Sequence, residues 1–258
     1  MKKLILPLFL MFSAHAGIVY AQSKRFNNLV WSDEFNKRNF IDPEKWTKVP
    51  RGNADWKDTM TDDECCYEVK KGKLVLKGIV NPNMETDSVK HLTGGIWSKG
   101  KFNFQHGRLE IRVKTHNGTG AWPALWLLGE NGTWPHNGEI DLMEQLNDDD
   151  FIYQTVHTNY TYNLKQTDYP KHSNTAKINL NKFNIIAIEK DENKITFFVN
   201  GKETHSYPRI ETEKKGQWPY EQPFYIILSQ QLEGDWVGKA DNDDLPVTMW
   251  VDWVRLYQ

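Results

Sequence analysis

Three carboxylates fall within six residues in Gly138-Glu139-Ile140-Asp141-Leu142-Met143-Glu144. Acids interleaved with apolar side chains are costly on a strand unless one face is buried and the other lines a polar cleft. On a regular strand Glu139 and Asp141 share a face and Glu144 takes the other, because side chains alternate. One extra residue between Asp141 and Glu144, a β-bulge, returns all three acids to one face and sends Ile140 and Leu142 to the core. Two carboxyl groups held about 5–5.5 Å apart are the equipment of retaining glycoside hydrolysis, one as nucleophile and one as acid/base. A third acid between them can hydrogen-bond the nucleophile, and like charges this close keep a proton on the group near neutral pH. The same residues could instead form a solvated acidic strand or a calcium site, since hard cations also take carboxylate oxygens.

The elements that must position these acids are strands. Leu74-Val75-Leu76 and residues 109–113, 152–157, 183–189 and 195–199 are short, rich in β-branched or aromatic residues, and bounded by turn residues. Residues 224–232 and 247–257 are further candidates. Asn200-Gly201, between residues 194–199 and 202–207, suits the two positive φ angles of a type I′ hairpin turn. No stretch carries a sustained helical period, an internal repeat or a low-complexity linker. The pattern predicts an all-β antiparallel sandwich or barrel, formed as one domain over residues 22–258.

Composition narrows the function classes. The chain has 258 residues with 32 basic and 34 acidic side chains, a balance that argues against nucleic-acid binding. It carries 11 Trp, 10 Tyr and 12 Phe, flat amphipathic rings suited to cores and to sugar faces. Its two cysteines, Cys65 and Cys66, are neighbours and read as buried free thiols, because a bridge between them would close a strained ring. Residues 1–21 pair a basic start with a short apolar run and small residues up to Ala21, the pattern of a signal peptide; a cut after Ala16 is the alternative. The expectation is an exported protein, periplasmic or secreted, with no membrane span, acting as a monomer.

Upstream of the acids runs Gly118-Thr119-Gly120-Ala121-Trp122-Pro123-Ala124-Leu125-Trp126-Leu127-Leu128-Gly129. Together with Glu139-Ile140-Asp141-Leu142-Met143-Glu144, this resembles family 16 of the glycoside hydrolases, in its bulged branch. Leu29-Val30-Trp31-Ser32-Asp33-Glu34-Phe35, Ser98-Lys99-Gly100-Lys101-Phe102, Gly107-Arg108-Leu109-Glu110 and Val251-Asp252-Trp253-Val254-Arg255-Leu256-Tyr257 extend the likeness over nearly the whole mature chain. The resemblance implies a concanavalin A-like β-jelly-roll sandwich with an open concave cleft, and double displacement with retention. It implies Glu139 as nucleophile, Asp141 as the assisting residue and Glu144 as acid/base. Trp122, Trp126, His157 and Trp236 match residues of the family's cleft, while Trp97, Trp134 and His136 stand at its edge. For Trp122, Trp126 and His157 the alternative is ordinary core packing. No cofactor is required. A structural calcium is common in the family, and Glu34 and Asp252 match its usual ligands; the alternative is that both acids are solvated or paired.

Substrate choice is read from Ser229-Gln230-Gln231-Leu232-Glu233-Gly234-Asp235-Trp236. Laminarinase-like members usually carry small or apolar residues where this chain has glutamines, and alternation lets one of them, Gln231, face the cleft. An extra amide fits an axial hydroxyl or an N-acetyl group better than a plain glucan. The expected substrate is a β-linked galactose–N-acetylglucosamine chain of poly-N-acetyllactosamine, keratan or mucin O-glycan type, cut internally by an endo-β-galactosidase. A β-1,3- or β-1,3-1,4-glucan is the alternative substrate. A non-catalytic carbohydrate-binding sandwich is the more remote one, and both Glu139 and Glu144 stand against it.

Overall fold

Period-two alternation over most of the chain forces a layered all-β structure, in which each strand gives one face to a shared core. The computed structural model describes residues 25–258, so the signal-peptide expectation lies outside the described residues. Along the chain come β1 (Leu29–Asp33), β2 (Thr47–Lys48), β3 (Tyr67–Val69), β4 (Leu74–Val80), β5 (His91–Thr93) and β6 (Gly95–Trp97). Then follow β7 (Gly107–His116), β8 (Ala121–Gly129), β9 (Glu139–Glu144), β10 (Phe151–His157) and β11 (Ser173–Lys177). The last are β12 (Asn184–Lys190), β13 (Lys194–Val199), β14 (Lys202–Pro208), β15 (Phe224–Leu232) and β16 (Val247–Tyr257). Helical segments among the described residues are single short turns, such as Asp55–Lys57 and Asn159–Asn163.

The strands form two antiparallel sheets, so the architecture is a sandwich and not a closed barrel. One sheet runs β14-β13-β12-β7-β16-β4-β3, with β1 added on β16 and β5 on β4. The other runs β11-β10-β9-β8-β15-β6-β2 and carries the cleft. Between them lies the main core, to which β7 contributes Leu109, Ile111 and Val113 and β16 contributes Met249, Val251, Val254 and Leu256. Strand β15 is buried along its whole length. Phe224, Ile226 and Leu228 join the main core, while Tyr225 and Ile227 join a second cluster with Trp126 on the cleft side.

The Asn-Gly hairpin forms as expected, with Asn200 at φ 52° and Gly201 at φ 81° between β13 and β14. Strand β11 was not anticipated. Its sequence, Ser-Asn-Thr-Ala-Lys, has no apolar alternation and is held by pairing with β10. Cys65 and Cys66 are free thiols with sulfurs 3.9 Å apart, Cys66 fully buried, and burial pushes both thiols up.

The two acids expected to hold calcium are engaged elsewhere. Glu34 takes a two-point hydrogen bond from Arg255, at 2.9 and 2.8 Å. Asp252 pairs with Lys73 at 2.9 Å and with Arg112. Carboxylates already neutralised by three cationic side chains do not fit a calcium ion, whose ligands are oxygens alone. The alternative reading, paired acids, describes what the fold contains.

Candidate active site

Strand β9 carries the irregularity that its spacing demands. Against β8 it pairs Trp126 with Asp141, Leu125 with Met143 and Ala124 with Glu144, so Leu142 is the extra residue. Against β10 it pairs Thr155 with Asp141 and Tyr153 with Glu144, again with one residue more on β9. Ile140, Leu142 and Met143 all enter the main core. Glu139, Asp141 and Glu144 are thereby presented together to a cavity of about 380 Å³ on the other face.

The backbone that delivers Glu139 is clamped from behind. Gly138 has φ +76°, and a Cβ there would lie 2.7 Å from Pro219 Cγ, so the chain approaches the 219–224 segment as only glycine can. Gln222 donates to the Asn137 carbonyl at 3.0 Å, and Tyr220 OH to the Glu139 carbonyl at 3.4 Å.

A tryptophan stands against each outer acid. Trp122 Nε1 donates to Glu144 Oε1 at 3.0 Å, and the Trp134 indole lines the cavity beside Glu139 and lowers its pKa. His157 Nε2 stands 3.8 Å from Glu139 Oε1 and 3.5 Å from Asp141 Oδ2. Asp141 Oδ2 has no hydrogen-bond partner, so the expected tie from Asp141 to Glu139 is not made through that oxygen. Burial pushes Glu144 up to about 7, against the pull of Trp122. Burial, followed by the Glu144 charge, pushes Glu139 up to about 8, with Trp134 opposing. Asp141 is raised well above the usual carboxylate range by burial and by its two neighbours. Ionising one acid raises the others, so the group holds both charge and protons near neutrality, as acid/base chemistry requires. Burial drives His157 down to about 4, which leaves it a neutral imidazole.

The remaining expected residues divide. Trp122, Trp126 and Gln231 line the cavity. Trp126 is buried, donates to Ser229 Oγ at 3.2 Å and lies edge-on to Trp56. Gln231, opposite Trp122 in the β15–β8 register, donates to Ser229 Oγ at 2.9 Å and leaves its buried Oε1 unpartnered. Gln230 takes the inward position, opposite Pro123, and donates to the Gln231 carbonyl. Trp236 is 46% exposed at the rim, edge-on to Trp122 at 5.5 Å and 5.0 Å from Tyr153. Trp97 is on the same face but does not line the cavity; it packs edge-on to Tyr225. Trp134 lines the cavity and His136 does not.

Trp56 and Ala54 also line the cavity and were not anticipated. They sit at a short turn whose sequence carries no periodicity. The Asp55 carboxylate accepts from the Asp235 amide at 3.2 Å, which docks this turn against the loop of Trp236. The one local signal was a tryptophan in a polar turn, too common to decide anything.

Comparison with known proteins agrees with this geometry. The family model for glycosyl hydrolases family 16 matches residues 54–255. A keratan-sulfate endo-1,4-beta-galactosidase of Sphingobacterium multivorum is 36% identical over 234 residues, covering 89% of this chain; the chain spans 55% of that enzyme's length. A beta-glucanase of Rhodothermus marinus is 30% identical over 251 residues, covering 89% of this chain and 85% of that enzyme. A solved structure from work on endo-acting O-glycanases that initiate mucin breakdown in the human gut microbiota superposes with a TM-score of 0.78 at 30% identity. It covers 89% of this chain and 99% of that one. A family match over most of the chain, on a sandwich whose bulged strand presents the three acids, places this protein within glycosyl hydrolases family 16.

Proposed function

We propose that this protein is an exported, monomeric, retaining endo-β-glycoside hydrolase acting on galactose–N-acetylglucosamine chains of poly-N-acetyllactosamine, keratan or mucin O-glycan type. The observation that carries this reading is the bulge in β9, which sets three acids on the cleft face with an indole N–H donated to Glu144. Glu139 attacks the anomeric carbon while Glu144 gives its proton to the departing glycosidic oxygen. The glycosyl-enzyme is then opened by water, which passes a proton back to Glu144 and releases Glu139. Asp141, buried between them, keeps a proton within the group, and His157 borders Glu139 and Asp141 as a neutral imidazole.

Two observations favour the substrate. The Gln231 amide faces the cavity with a free oxygen, a contact that a sugar N–H or hydroxyl satisfies and a wrong sugar leaves unpaired. The similar proteins named above include a keratan-sulfate endo-1,4-beta-galactosidase and a structure from work on endo-acting O-glycanases of mucin breakdown. The second reading, a β-1,3- or β-1,3-1,4-glucanase, is favoured by the beta-glucanase that matches along 85% of its own length.

The test is to incubate the protein with laminarin and with keratan and to size the products. Internal cutting of keratan alone supports the galactose reading. Cutting of laminarin alone makes the protein a β-glucanase, and cutting of neither sinks both.

A further inference from the structure

We infer that Glu139, Asp141 and His157 form a zinc site, so that zinc competes with substrate for this centre; the inference rests on the hydrolase reading for its consequence but not for the site itself. One donor atom from each residue lies within 4.8 Å of the others. His157 Nε2 is 3.5 Å from Asp141 Oδ2 and 3.8 Å from Glu139 Oε1. Tetrahedral zinc with bonds of about 2.0–2.1 Å sets its ligand atoms about 3.3 Å apart, so the imidazole nitrogen is already within about half an ångström of the required separation from each carboxylate oxygen. Glu139 and Asp141 line the cavity, from which water can supply a fourth ligand.

A second observation points to a cation. Asp141 is 3% exposed, and its Oδ2, the atom nearest His157, has no hydrogen-bond partner. A buried carboxylate oxygen without a donor is costly and rare. Among the described residues no lysine or arginine pairs with Glu139, Asp141 or Glu144, although the two other buried acids, Asp33 and Asp191, each have such a partner. The centre thus gathers three acidic groups and holds no fixed positive charge against them. One imidazole nitrogen with two carboxylate oxygens is a zinc donor set, whereas calcium and magnesium take oxygens, six or more of them.

Zinc so placed occupies the carboxylate of Glu139, the nucleophile of the proposed mechanism. Metal and substrate exclude one another, and zinc raises KM while leaving kcat unchanged.

The test is calorimetric titration of the metal-free full chain with zinc chloride, with calcium chloride as the comparison. One saturable zinc site is expected, lost or weakened at least about tenfold in His157→Gln and separately in Asp141→Asn, since even an outer-shell partner contributes that much. Near-UV circular dichroism checks that each variant is folded, and Glu144→Gln keeps the zinc site. Absence of saturable zinc binding, binding that survives both substitutions, or equal binding of calcium overturns the site. Zinc that binds without raising KM overturns its regulatory role. Binding is read without turnover, so a protein that cuts no glycan fails the hydrolase reading while the titration still decides the site.

Discussion

Trp122 and Glu144 are joined across neighbouring strands by a hydrogen bond of 3.0 Å from the indole nitrogen to a carboxylate oxygen. The same indole stands edge-on to Trp236 at the rim, so one ring links the acid/base of the proposed mechanism to the outermost aromatic of the cleft. A donor of this kind stabilises the ionised carboxylate and holds Glu144 below the value that burial alone would give.

Trp122→Phe keeps the ring and removes the donor. Glu144 then holds its proton to higher pH, and because it acts as an acid, the alkaline limb of the kcat/KM profile moves upward. The lost orientation lowers kcat about tenfold. A limb that stays in place or moves to lower pH refutes the coupling.

Glu139→Gln lowers turnover by at least about 10⁴-fold while oligosaccharide binding persists. Glu144→Ala fails on natural chains but retains activity on aryl glycosides with good leaving groups, which need no proton. Equal losses on both substrate types in Glu144→Ala would remove Glu144 from the acid's role.

Gln231→Leu separates specificity from catalysis. On a galactose–N-acetylglucosamine chain kcat/KM falls about ten- to a hundredfold, the cost of losing a matched polar contact. On laminarin it changes little. A parallel drop on both would show that the amide serves only to hold Ser229, its partner at 2.9 Å.

Lys190 gives a pH signature in stability. Its side chain is fully buried, donates to the Tyr220 carbonyl at 2.7 Å and to the Gln105 carbonyl, and burial brings it down to about 7. Above that pH, and up to about 10.4, the unfolded chain keeps a proton that the folded chain has released. This group therefore adds stability as pH rises through the window, by at most about 1.4 kcal/mol per pH unit, and gives the penalty back below it. Lys190→Met removes this contribution to the slope. Urea unfolding at several pH values should show wild type gaining on the variant as pH rises; a constant gap refutes the assignment.

Much of this was legible in the chain because it depends on local pattern. Residues 224–232 and 247–257 declare themselves as strands by composition and bounding turns, and both form over those bounds. The bulge in β9 follows from three acids that must share a face at an irregular spacing. The unread parts depend on docking between distant segments. Ser173–Lys177 becomes a strand because β10 offers it an edge. Trp56 reaches the cavity from a turn docked against the Trp236 loop. Arg255 and Arg112 claim the acids that would have suited calcium, and no local pattern shows which cation folds onto which carboxylate.

The extra residue in β9 also decides which changes of length the motif can absorb. Removal of Met143 alone would leave Glu-Ile-Asp-Leu-Glu, an unbroken alternation in which the last acid still meets Ala124 and still faces the sugar. An added residue at the same place also restores an even spacing, but it carries Glu144 two positions further along the strand, past Ala124 and away from Glu139 and Asp141, and turns Met143 to the cleft face. Shortening by one residue keeps the three acids together and lengthening by one separates them along the strand, so deletion of Met143 should preserve activity that an insertion there loses.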